Sequence, residues 1–472
     1  MYEHADGARC SRWEGARTRR VAAWVLLGVL LGASAGRAEE SLAPSAPSPI
    51  PLLHGLKTPV GFWKQVFGTY SMRQIIIHDA LHLERIYSVL DFRPLADAGW
   101  SDGDIDAYAR SKERDEKERV RAILVRLHQL GADTDGLTEE ERRIRGLFAK
   151  SSDPSVYLEA AADDRIRGQR GLRERFAAGI EISRRYLPEM EAIFRREGLP
   201  WQLTRLPLVE SCFNVRAYSK LGAAGVWQFM PSTGRLYMQV DNAVDERRDP
   251  IASTAAAARH LKANYEVLGS WPLAITAYNH GRAGMVRAVS TVGSNDLVEI
   301  IHHYHGPAFK FASRNFYAEF LAALDVEQHF EDYFGELNLH QPLRAETVVV
   351  PDYVSMKLLA QAMGIETDDL AELNPALAPD VVNGKLHVPR GYRLRVPVGS
   401  ASKFSVRYAS LPASAKASRQ RTAYVTHRVQ RGQTLASIAK KYRTTVAAIQ
   451  RHNNLGKAAR LRAGQSLIIP TG

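Results

Sequence analysis

Apolar and polar positions along the 472-residue chain fall into successive textures that change three times. The first is an uninterrupted apolar run, Val21 to Ala33, behind Arg17, Arg19 and Arg20. A bilayer-spanning helix takes about 20 apolar residues, and this run is shorter. With the small residues around Gly36-Arg37-Ala38 behind it, residues 1–38 predict a cleaved export signal. The Pro/Ser-rich stretch "SLAPSAPSPIP" follows, and residues 39–60 are expected to be a linker. From Gly61 the pattern turns helical, with "IIIHDALHLERIYSVL" and "LRERFAAGIEISRRYLPEMEAIFRREG" mixing apolar and charged positions through a helical region over 61–190. Gly198 and Pro200 close one helix and open the next, at the start of a second helical block over 191–335. Within it "DPIASTAAAARHLKANYEVLG" predicts a long helix with Ser253 or Thr254 as its cap and Gly269 as its stop.

Behind Ala345 the runs shorten into β-prone segments and brief helices, and a weak internal repeat emerges at one fixed offset. Leu359 falls on Ile438, Ala360 on Ala439, Leu370 on Ile449 and Asn374 on Asn453. In the second copy, 424–471, "AYVTHRV" alternates as a strand, Thr434 caps a helix running to Tyr442, Thr445 or Thr444 caps another, and "QSLIIP" closes as a strand. The order is β-α-α-β, and 345–398 form the first copy. The Ser-, Ala- and Lys-rich stretch between them, 399–423, predicts a mobile basic linker. The expected fold class is mainly α, ending in small βααβ modules.

Composition narrows this picture without changing it. At 45% apolar and 24% charged residues the chain reads as a globular protein, long enough for about three domains. Cys10 and Cys212 are its two cysteines, so removal of the signal leaves one thiol and no intramolecular disulfide. Cys212, two residues after Glu210, is read as a small core residue rather than a nucleophile. Residues 401–472 carry fourteen Lys or Arg and no Asp or Glu, against a whole-chain net of +12, so the remainder is slightly acidic. Such a tail favours an anionic polymer. The export signal argues against nucleic acid as that polymer.

The candidate chemistry lies in "LPWQLTRLPLVESCFNVRAYSKLGAAGVWQFMPSTGRLY", where Glu210 is the one acidic residue near the end of an apolar helix. Among Leu206, Leu208, Val209 and Phe213 its carboxyl would be poorly solvated, and desolvation disfavours the charged form. A carboxyl kept neutral near pH 7 can protonate a leaving oxygen. Gly225, Trp227, Gln228 and Pro231 form a turn opening a helix, and Tyr278 and Asn279 end another. His78 and His82 would share a helix face, and His302, His303 and His305 cluster, but neither set has a carboxylate or cysteine at ligand spacing. No metal or cofactor is expected.

Three ordered motifs, Glu210-Ser211, Gly225 to Gln228 and Ala277 to Asn279, resemble the lytic transglycosylase catalytic domain of the goose-lysozyme-like superfamily over roughly residues 190 to 330. "DERRDPIAST" before the Ala-rich helix, and C-terminal modules similar to LysM, narrow the resemblance to the membrane-bound lytic murein transglycosylase D family. In the second copy "GQTL" at Gly432 to Leu435 is similar to a regular LysM; in the first, Tyr353, Val354 and Ser355 replace the Gly-Gln-Thr turn. No cysteine follows the apolar run as a lipoprotein would need, so no permanent membrane anchor is expected and the destination is the periplasm or cell envelope. "SRNFY" stands where relatives carry Glu-Thr-Arg-x-Tyr, with Tyr317 as the tyrosine.

The resemblance implies that Glu210 donates a proton to the oxygen between N-acetylmuramic acid and N-acetylglucosamine, then accepts one from the muramic 6-hydroxyl. It implies that Ser211, Gln228, Tyr278, Asn279 and Tyr317 position Glu210 and the sugar, with peptidoglycan glycan strands as the partner. Ordinary glycosidases pair two carboxylates. Here Asp245, Glu246 and Asp249 are near the motifs in sequence, with surface ion pairing as their expected role. A lysozyme-type hydrolase and a non-catalytic wall-binding protein are the alternatives.

Overall fold

The computed structural model describes residues 49–149, 151, 153–421, 424–453, 455–456 and 460–470; the export-signal expectation lies outside them. The chain is mainly helical and divides into two compact units. The first comprises residues 49–221, 226–228 and 257–340; the second comprises 222–225, 229–256 and 341–470.

The first unit opens earlier than the sequence pattern indicates. A 3-10 turn at His54–Leu56 leads into a helix at Lys57–Gly68, inside the stretch expected to be linker. Val60, Phe62, Trp63, Val66 and Phe67 bury one face of that helix, so its apolar stripe and not its composition decides its state. The region 61–190 is not helical throughout. Gln74–Asp79 (β1), Ile86–Asp91 (β2) and Ile166–Arg170 (β3) form an antiparallel sheet in the order β2-β1-β3. Three consecutive isoleucines, Ile75 to Ile77, occupy the central strand and are all buried, so the run shows no two-residue alternation. The β-branched side chains suit the pleat. His78 lies in β1 and His82 in the turn that follows, so the two do not share a helix.

That turn is organised by the fully buried Asp79. Its carboxylate accepts from the backbone of Leu81 (2.8 Å) and His82 (3.1 Å), and from both ends of the Arg165 guanidinium (2.7 to 3.1 Å). A buried carboxylate is tolerated only when paired and hydrogen-bonded in this way. The helix Asp102–Leu130, capped by Ser101, packs Ile105, Ala109, Val120, Leu124 and Leu127 into the same core as the sheet.

"LRERFAAGIEISRRYLPEMEAIFRREG" becomes two helices, Arg173–Ser183 and Leu187–Arg196, and Gly198 (φ +72) ends the second. The long helix runs Pro250–Leu268, and Gly269 (φ +73) terminates it. Its cap is Asp249, not Ser253 or Thr254: the Asp249 carboxylate accepts from Ile251 N (2.9 Å) and Ala252 N (3.0 Å). Ser253 and Thr254 point back along the helix onto the carbonyls of Asp249 and Pro250 (both 2.6 Å). Helices Trp271–His280 and Phe311–Gln328 complete the unit's central packing.

In the second unit the repeat is visible in hydrogen bonds. Glu346–Val349 (β4) pairs with Arg393–Val396 (β5), and Tyr424–Arg428 (β6) with Ser466–Pro470 (β7). Between the members of each pair lie Met356–Met363 and Thr367–Leu373 in one copy, followed there by the short helix Pro379–Val382, and Leu435–Lys441 and Val446–His452 in the other. Asn374 donates to Leu370 O and Arg395 O and accepts from Arg395 N, all at 2.8 Å. Asn453 makes the same three bonds with Ile449 O, Ile468 O and Ile468 N at 2.7 to 2.8 Å. The aligned asparagines thus clamp helix to strand in both copies. The stretch read as a mobile linker contains a helix, Ala401–Ala409, because Phe404 and Tyr408, one turn apart, are buried in the core of the first copy.

Candidate active site

Glu210 is the penultimate residue of the six-residue helix Leu206–Ser211, which Pro207 opens. The helix ends in two consecutive left-handed residues, Cys212 (φ 47) and Phe213 (φ 55), a conformation that costs a non-glycine residue roughly 1–2 kcal/mol. Packing holds them there. Phe213 is fully buried and stacks on Tyr186 (6.2 Å, 20°), and its amide donates to Pro207 O (3.0 Å). The helix Arg173–Ser183 comes so close at Gly179 that a Cβ there would lie 2.6 Å from the Cys212 carbonyl oxygen. Cys212 is buried and takes part in this tight turn, as expected of a core residue.

The turn fixes Glu210 in a position where 6% of its surface is exposed. Ser211 is fully buried, its hydroxyl 2.9 Å from Val226 O and 3.2 Å from Pro207 O. This bond ties the acid-bearing helix to the second motif. Trp227, one residue on, is fully buried and stacks on Phe194 at 5.9 Å and 5°, so it is a core ring and no groove floor. Gln228 is partly exposed and left-handed at φ 49, a strained geometry of the kind found where a side chain must be aimed.

The third motif closes on the second. Tyr278 donates its hydroxyl hydrogen to Trp227 O (2.8 Å). Burial, and next the negative charge of Glu210, hold the Tyr278 phenol well above its ordinary value. The phenol therefore stays a proton donor, and Tyr278 and Glu210 lie within electrostatic reach. Asn279 accepts from Ser313 Oγ (3.0 Å), which also lies 3.3 Å from His280 Nδ1. His260 meets the Tyr278 ring edge to face (5.5 Å), and burial, helped by the Arg282 charge, pushes it down to about 4.

Glu210, Ser211 and Tyr278 are thus brought together around the Val226–Trp227 backbone. Tyr317 is fully buried and donates to Pro51 O (2.7 Å). Ser313, one turn earlier on the same helix, is the member of "SRNFY" that meets the third motif, through Asn279. Sequence reasoning missed it, because only Tyr317 of that stretch was singled out, and also His260, which stands in no motif.

Asp245, Glu246 and Asp249 are engaged within the second unit. Asp245 takes both Nε and Nη2 of Arg247 (2.8 Å each), and the two side chains are 14% and 4% exposed. Asp249 binds the Arg395 guanidinium at 5% exposure, and Glu246 accepts from Gln239 N (2.7 Å). The pairs made by Asp245 and Asp249 are partly buried, where surface pairs were expected.

Comparison with known proteins finds three family matches along the chain. Residues 190–300 match the Transglycosylase SLT domain, residues 344–413 the lytic transglycosylase MltD LysM-like domain, and residues 427–470 the LysM domain. Membrane-bound lytic murein transglycosylase D of Escherichia coli K12 is 29% identical over 287 residues, 59% of this chain and 62% of its own length. The putative tributyltin chloride resistance protein of an Alteromonas species is 35% identical over 109 residues, 23% of this chain and 53% of that protein. The crystal structure of the 70 kDa soluble lytic transglycosylase of Escherichia coli covers 50% of this chain and 47% of its own at 14% identity, with a TM-score of 0.26, too loose to bear on the fold. Through its SLT domain and the two LysM-type modules behind it, the chain is similar to membrane-bound lytic murein transglycosylase D.

Proposed function

We propose that this chain is a peptidoglycan lytic transglycosylase, acting in the periplasm or cell envelope and held to the wall by its C-terminal LysM domain. The observation that carries the reading is a buried acid, Glu210, 6% exposed, beside Tyr278 and the Ser211-bonded turn. Burial disfavours the ionised form of a carboxyl, which suits Glu210 to the role of proton donor. Glu210 gives its proton to the glycosidic oxygen as the bond to the muramic anomeric carbon breaks. The muramic 6-hydroxyl oxygen then bonds to that carbon and returns its proton to Glu210, giving a 1,6-anhydro end and consuming no water. The substrate's own N-acetyl oxygen stabilises the cationic stage in place of a second carboxylate. Ser211 and Tyr278 hold the helix end and the turn, and Gln228 and Asn279 are offered as sugar-facing groups.

The catalytic domain is placed at 191–335 and the LysM domain at 424–471, whose exposed arginines and lysines favour the carboxylates of stem peptides. Among the described residues no helix is long and apolar enough to cross a membrane. Digestion of purified sacculi followed by mass analysis tests the reaction. Muropeptides one water lighter than their hydrolysed counterparts are expected; full-mass reducing ends point to a hydrolase.

A further inference from the structure

The two LysM-type copies share a fold and differ in what their edges meet. In the second copy Gly432 and Thr434 of the Gly-Gln-Thr turn are exposed. In the first, the corresponding turn is covered by the chain itself: Tyr353 N donates to Ala417 O (3.1 Å) and Ala417 N to Tyr353 O (3.0 Å). A second edge of the first copy is also occupied. Asp245 N donates to Ala376 O (2.7 Å) and Ala378 N to Ala243 O (2.9 Å), while Ala243 and Val244 sit in the module's own core. From β5, Arg395 reaches both oxygens of Asp249, the residue that caps the Pro250–Leu268 helix.

Between these two anchors lies Arg247, 3% exposed. Held by Asp245, its Nη1 donates to Gly222 O (2.7 Å) and Phe229 O (3.0 Å), the two ends of the segment that contains the Gly225 to Gln228 turn. The Arg247 carbonyl lies 1.8 Å from where a Cβ on Gly225 would stand, which is why glycine is required there. A wall-binding module would leave its binding turn open and its edges free. This one spends both on residues 243–249 and on residue 417.

We infer that the first LysM-like module is a positioning element for Gly222 to Gly225 and Phe229, the residues on either side of Val226 to Gln228, and not a glycan-binding unit, with Arg395 as its main positioning residue. The inference rests on the transglycosylase reading above. Breaking the Arg395–Asp249 pair releases the 245–249 segment, so the Arg247 clamp on Gly222 and Phe229 loosens.

The test uses the full-length chain with Arg395→Met, Asp249→Asn and the double variant. Asparagine preserves helix capping while removing the charge, so Asp249→Asn reports on the pair rather than on the helix. Turnover on sacculi per folded molecule should fall about tenfold in each single variant, and no further in the double, because both break one interaction. KM and sacculus binding should stay within about twofold of wild type, a split that general loss of folding would not produce. Unchanged turnover in the folded fraction, or lost sacculus binding with turnover intact, overturns the inference. An inactive wild type sinks the transglycosylase reading itself, whereas active wild type with unaffected variants sinks the positioning role alone.

Discussion

Six residues of helix cannot orient a side chain unaided, so the aim of Glu210 depends on what presses against the Cys212–Phe213 turn. Gly179 leaves no room there for a side chain. Gly179→Ala should cost about 1–3 kcal/mol in chemical unfolding, the usual range for an added methyl in a packed core. Turnover should fall more than stability alone explains, because the end of the acid-bearing helix must move. A variant with wild-type turnover and unfolding midpoint contradicts this account of the turn. Glu210, Ser211, Tyr278 and Asn279 were legible in the sequence because their motifs are local. Ser313 was not, since its role depends on a contact to Asn279 across 34 residues. Tyr317 was assigned to the site by resemblance, and its bond to Pro51 O, across 266 residues, was equally beyond reach of the sequence.

At the scale of elements, β1 shows both what the sequence pattern misses and what that costs. Three buried isoleucines in a row satisfy a helix core and a central strand equally, so periodicity could not arbitrate. The strand places His78 in the core, its Nδ1–H donating to Asp79 O (2.9 Å) and its ring against Phe62 (4.6 Å). Nε2 is left buried with no hydrogen-bond partner, which a neutral ring tolerates and a protonated one does not. Burial, reinforced by the Arg167 charge, pushes His78 down to about 4 from an ordinary 6.5. The unfolded chain therefore takes up the proton first. Stability from this residue is complete above about pH 6.5 and is lost as pH falls toward 4, by up to about 3 kcal/mol. Denaturant unfolding at pH 7 and pH 4.5 should show a loss that His78→Phe reduces; equal losses in both proteins exclude His78 as the cause. The Ala401–Ala409 helix was hidden for the opposite reason, because two buried aromatics are diluted by a Ser, Ala and Lys background.

For the whole molecule, the sequence repeat made both C-terminal modules legible, down to the paired asparagines. It could not reveal that one copy is built into the segment around the Gly225 to Gln228 turn, because residues 243–249 and 376–395 meet only in three dimensions. In this account the two copies divide the labour: the second, with its unbalanced positive charge, holds the wall, and the first holds the residues on either side of Val226 to Gln228. Tethering on an insoluble polymer raises local substrate concentration without touching the chemistry. Binding and cleavage should therefore separate cleanly.

Glu210→Gln in the full-length chain separates them most directly, since glutamine keeps the shape of the buried side chain and removes the transferable proton. Release of muropeptides from purified sacculi should fall by at least about a hundredfold, with co-sedimentation on the same sacculi unchanged. Release near the wild-type rate would contradict the assignment of Glu210 as the acid.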